Sequence, residues 1–202
     1  MKSFLAILIL GFSLMSCQET EDPIVVNQLS SAELETLLFT REEEKLAHDV
    51  YTYAFEKYGT FIFQNIGNSE TQHVNSVLAA MNSFDVADPL MGSTAPGIFT
   101  IPALSNLYQT LITRVNISQK EALLVGLYIE DLDINDLNNA LAETQIPQLI
   151  RVYENLKCGS NNHMRSFENL ASTLGVTYDP EFISLELYNS IINSPLTTCG
   201  NL

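Results

Sequence analysis

The chain has 202 residues and carries 24 acidic side chains against 9 basic ones, a formal charge of −15. A surface this acidic repels nucleic-acid phosphates and anionic lipid alike, so no nucleic-acid partner is expected, and any membrane attachment needs an anchor other than charge. One domain with a substantial core fits in this length.

The start, MKSFLAILILGFSLMSC, places one lysine before an apolar run from Phe4 to Met15. That run is too short to span a bilayer, and its charge order is that of a signal peptide over residues 1–16. Leu14-Met15-Ser16-Cys17 resembles a bacterial lipobox, which implies a lipidated Cys17 and a membrane partner reached through the lipid. Loss of Lys2 with the signal would leave 8 − 24 = −16. Residues 17–30 open with a short acidic run and read as a tether, similar to that of some surface-exported lipoproteins of Bacteroidetes. The expected location is therefore the outer membrane or cell surface. With Cys17 lipidated, Cys158 and Cys199 remain, and an exported chain permits one disulfide between them.

Beyond the tether the sequence is helical in period, with almost no strand signal. A first helix is expected over 31–58, capped by Ser30 or Ser31 and stopped at Gly59. A second is expected over about 62–84. Residues 86–100 are rich in Gly and Pro and read as a crossing loop, followed by a short helix at 102–114 opened by Pro102. A third long helix starts near Ser118, with Glu121 completing a capping box, and runs to Glu143. A fourth runs from Pro147 to Leu174. A loose tail, 177–202, carries one short helix around 183–193. The fold class is all-α: a four-helix bundle over 31–176 with a long crossover connection and a short helical tail.

Polar residues interrupt the inward stripes. The second helix presents Phe63, Ile66, Glu70, His73, Val77, Ala80 and Phe84. The third presents Leu123, Leu127, Glu130, Ile134, Leu137 and Leu141. The fourth presents Leu149, Val152, Leu156, His163, Phe167, Leu170 and Leu174, with Gly159 and Ser160 at a gap. The first helix offers two stripes, one through Glu44 and Tyr51 and one through Glu43. A buried carboxylate costs several kcal/mol unless neutralised, and a cluster of them needs cations. The Glu-x-x-His step of Glu70 and His73 puts both side chains on one face, about one turn apart. The candidate metal ligands are therefore Glu44 (or Glu43), Glu70, His73, Glu130 and His163.

REEEKLAHDVY at 41–51, SETQH at 69–73, GLYIEDLDINDL at 126–137 and YENLKCGSNNHMRSF at 153–167 resemble a bacterial and archaeal family, the ferritin-like domain of unknown function numbered 2202. The resemblance spans about residues 33–174. It implies a ferritin-like bundle and no particular activity. The wider ferritin-like di-iron pattern wants Glu on its first and third helices and Glu-x-x-His on its second and fourth. Here Ser160 stands where the fourth helix wants Glu, and Glu154 lies half a helical rotation from His163. A dinuclear site, a single metal and a degenerate site all stay open. His48, one turn from Glu44, is either a further ligand or exposed. Tyr51 is either a neighbour of the ligands or plain core. Arg41 and Arg165 either pair with the carboxylates or lie on the surface.

Two functions follow. The first is an oxidoreductase using one or two iron or manganese ions toward oxygen or peroxide. The second is a non-enzymatic cell-envelope protein, a metal binder or interaction module with a degenerate site.

Overall fold

The computed structural model describes residues 28–200, so the expected signal segment, Cys17 and most of the tether lie outside the described residues. Six helices are found there and no strand: α1 (Ser31–Tyr58), α2 (Phe61–Ser83), α3 (Pro102–Val115), α4 (Gln119–Glu143), α5 (Pro147–Thr173) and α6 (Leu185–Ile192). The protein is all-α. Among the described residues no helix is long and apolar enough to cross a membrane.

Local chemistry sets these boundaries. The Ser30 hydroxyl accepts from the Glu33 N–H, and the Glu33 carboxylate accepts from the Ser30 N–H in return. Gly59 ends α1 in the left-handed conformation, φ 64°, which a side chain would resist. At the start of α4 the Ser118 hydroxyl accepts from the Glu121 N–H, while the Glu121 carboxylate turns instead to Arg114. Pro102 and Pro147 open α3 and α5, where a missing N–H costs nothing.

The long helices pack α1 on α2, α4 on α5, α1 on α4 and α2 on α5, a closed four-helix arrangement. The crossover between α2 and α4 carries α3, which lies against α1 and α4. The crossover explains why α1 is buried on nearly every face from Thr40 to Val50. Arg41 Nε lies 3.3 Å from Asp88, Lys45 Nζ donates to Asp49 (2.5 Å) and to the Ala95 carbonyl (2.8 Å), and Glu42 accepts from the Thr100 and Ile101 amides. The charges of Arg-Glu-Glu-Glu-Lys thus divide: Arg41, Glu42 and Lys45 hold the crossover, and Glu43 and Glu44 face the bundle interior.

The tail is tied down rather than loose. The Asp131 carboxylate, fully buried on α4, accepts from the Glu181, Phe182 and Ile183 amides at 2.6, 3.1 and 2.9 Å and from the Tyr178 hydroxyl at 2.8 Å. Arg165 donates to the Ile191 carbonyl and to Ser194, and a disulfide joins Cys158 on α5 to Cys199.

The apolar interior forms two clusters. One contains Tyr51, Phe63, Leu123, Leu127 and Phe167; the other contains Leu37, Val77, Met81, Leu137, Leu149 and Leu156. On α2, α4 and α5 the residues between these clusters are Glu70 and His73, Glu130 and Asp133, and Ser160 and His163. A polar layer lies across the middle of the bundle.

Candidate metal centre

Five of the residues expected to meet do meet. Glu44, Glu70, His73, Glu130 and His163 are all at least 93% buried and come from α1, α2, α4 and α5. Their donors close into two groups, Glu44–Glu70–His73 and Glu70–Glu130–His163, each with its donor atoms within 4.8 Å of one another. Glu70 belongs to both, through different oxygens. Its Oε2 lies 2.8 Å from His73 Nδ1, and its Oε1 lies 2.9 Å from His163 Nδ1. His73 Nδ1 also meets Glu44 Oε2 at 3.1 Å, and His163 Nδ1 meets Glu130 Oε2 at 3.5 Å. The two imidazoles stack, with ring centres 5.4 Å apart. The centre has a near two-fold plan: one carboxylate and one imidazole on each side, and one carboxylate shared.

The neighbours orient these donors. The Tyr51 hydroxyl donates to Glu130 Oε1 at 2.5 Å, which places Tyr51 beside the ligands. Burial, and next the Glu130 charge, push the Tyr51 pKa up, so it stays a donor. His163 Nε2 lies 2.9 Å from the Ser69 hydroxyl, and this contact turns Nδ1 toward Glu70. Gly159 makes room for His73: a Cβ there would sit 2.4 Å from His73 Nε2.

Burial and the opposing charges set the protonation of the centre. Burial raises the Glu44 pKa to about 7 against the opposing pull of His73. Glu130 is raised by burial in the same way, with His163 opposing. Glu70 goes the other way: burial pushes it up, but His163 and His73 together outweigh burial and hold it low. Burial lowers both histidines, and the carboxylates more than reverse this: Glu44 and Glu70 lift His73, and Glu70 and Glu130 lift His163 to about 10. Glu43 and Asp133, at most 5% exposed, bring the buried acids of this layer to five against two imidazoles. Even with both rings charged, 5 − 2 = 3 acids need protons or a cation. The close approach of His163 Nδ1 to Glu70 Oε1 has no hydrogen-bond alignment, and these two atoms and Glu44 Oε1 all lack a hydrogen-bond partner. Orphaned donors crowded at this distance fit a cation placed between them.

The other expected residues lie elsewhere. His48 Nδ1 meets the Gly67 carbonyl and the Thr71 hydroxyl between α1 and α2, outside the centre. Arg165 faces the tail, and Arg41 pairs with Asp88 in the crossover. Glu154 is exposed. Ser160 is buried, and its hydroxyl donates to Asp133. Asp133 was missed in the sequence: it lies three residues beyond Glu130, the same one-turn step that singled out Glu70 and His73. A cavity of about 550 Å³ opens onto both histidines between α2, α5 and the tail, lined by Ser69, Gln72, Asn75, Asn155, Asn162 and Thr197 among others, with no carboxylate.

Comparison with known proteins fits this architecture. An uncharacterized protein of Methanocaldococcus jannaschii, MJ0754, is 40% identical over 166 residues, 82% of this chain and 89% of the relative. The crystal structure of the hypothetical protein MJ0754 superposes with a TM-score of 0.82, covering 84% of this chain and 96% of that one. The family model for an uncharacterized protein domain, DUF2202, matches residues 33–195, and the chain belongs to that family.

Proposed function

We propose that the bundle is ferritin-like and holds iron or manganese at a dinuclear centre, for redox chemistry on dioxygen or peroxide. The observation that carries this is Glu70, whose two oxygens face two different imidazoles, each closed by a carboxylate from another helix. Glu44 and His73 would hold one ion and Glu130 and His163 the other, with Glu70 common to both. Carboxylate and imidazole donors suit iron or manganese. The ions would supply electron transfer to or from the bound oxygen species. The chain's residues supply the rest. Tyr51 and Ser69 fix the orientation of Glu130 and His163. The apolar clusters on either side exclude bulk water. The amide-lined cavity, free of carboxylates, would admit small polar molecules to the histidine edge.

Ser160 favours a second reading. It gives its hydroxyl to Asp133 and offers no carboxylate between the two sides, so Glu70 would bridge alone. That suits a metal binder without turnover. Metal content decides whether a centre exists, and peroxide consumption decides between the readings. Glu70→Ala should remove bound iron or manganese altogether, while Glu154→Ala, on the exposed face of α5, should leave it unchanged. Equal retention in both variants would exclude the centre. In a full-length chain the protein would be a lipoprotein of the cell envelope. Cys17→Ser should then shift it from the detergent phase to the aqueous phase, and unchanged partitioning would refute the anchor.

A further inference from the structure

The centre does not use Glu43. It is 3% exposed on α1, and neither carboxylate oxygen has a hydrogen-bond partner. Its carboxylate lies beside that of Asp136 on α4, and burial, then the charges of Asp133, Asp136 and Glu44, push its pKa up. Two facing carboxylates need a shared proton or a cation between them. Asp133 Oδ1 is likewise buried without a partner.

Beyond Asp136 a cleft of about 450 Å³ opens between α1 and α4, with Glu35, Glu143 and Asp136 in its lining. Helix geometry joins this cleft to the centre. On α1, Thr36 and Phe39 line the cleft, Glu43 follows one turn below Phe39, and Glu44 is a ligand. On α4, running the other way, Glu143, Asn139 and Asp136 line the cleft, Asp133 follows one turn on, and Glu130 is a ligand. Steps of three or four residues advance about 4.5–6 Å along a helix. From Asp136 inward, carboxylates succeed one another about one turn apart, Asp136, Asp133 and Glu130 on α4, with Glu43 and Glu44 beside them on α1. The opposite mouth, at the histidines, has no carboxylate in its lining.

We infer that the α1–α4 cleft is a cation route, with Asp136 and Glu43 forming a transit site that passes divalent metal ions from solvent to the buried centre. All-oxygen, charged donors suit a hard divalent ion. Neither of the two tight three-donor groups includes Glu43, as befits a site that releases its ion inward. The inference rests on the metal-binding reading of the centre.

Uptake kinetics test it. Metal-free protein would be mixed with Co2+ in a stopped-flow cell, and binding followed through the visible absorption of the bound ion. Glu43→Gln and Asp136→Asn should load at least tenfold more slowly than wild type, yet reach the same final stoichiometry. Asp136 is half-buried, so its variant also covers the case in which Glu43→Gln fails to fold. Wild-type rates in both variants would overturn the route while leaving the centre intact. A lowered final stoichiometry in Glu43→Gln would make Glu43 a resident ligand and overturn its transit role. No uptake by wild type would overturn the centre itself.

Discussion

Without metal, His73 and His163 act as the cations of the layer. Each carries a proton that answers neighbouring carboxylates, and for His163 that proton persists up to about pH 10. A metal ion binds the neutral imidazole, so loading at pH 7 must expel a proton from each ring. Glu44, raised to about 7, adds a further partial proton at and below neutrality. The sign is fixed: affinity rises with pH. With one ring proton displaced by each of two ions, the affinity for each ion should fall about tenfold, and the overall two-ion constant about a hundredfold, per unit of acidification between pH 8 and 7. Proton release in weakly buffered solution, measured during titration with Mn2+, should be two per centre or more. Loading without proton release would show that the histidines are not ligands.

At the scale of elements, stripe arguments work where a helix has one buried face and fail where it has several. On α2, α4 and α5 the single polar interruptions in apolar stripes are the residues found together in the core. On α1 both alternative stripes are buried, because the crossover covers the side that a bare bundle would leave wet. No period in REEEKLAHD could separate Glu44, beside His73, from Glu42, which binds the crossover amides. Asp133 and Ser160 escaped for a related reason. Their significance lies in a contact between two helices, and single-helix periodicity carries no information about partners. The short helix of the tail was legible in the sequence, but its docking was not, for the same cause: Asp131 holds it through backbone amides, which leave no side-chain signature. Asp131→Ala should leave three amides without their charged acceptor. Hydrogen bonds to a charged group contribute about 1.5–3 kcal/mol each, so a loss of several kcal/mol is expected. Thermal melting should drop by ten degrees or more, and limited proteolysis should cut between residues 176 and 183. An unchanged melting temperature would mean that the tail adds little to the bundle.

For the molecule as a whole, the two ends of the polar layer differ. One mouth, between α1 and α4, is acidic; the other, between α2, α5 and the disulfide-pinned tail, holds the two histidines and no carboxylate. A buried layer with five acids and two imidazoles is a costly thing to fold, and a bound cation reduces that cost by stabilising the native state alone. The most direct test is anomalous diffraction at the iron and manganese edges from crystals grown with each metal. The account predicts two peaks in the layer, one among Glu44, Glu70 and His73 and one among Glu70, Glu130 and His163. No peak in the layer, or peaks confined to surface carboxylates, would contradict it.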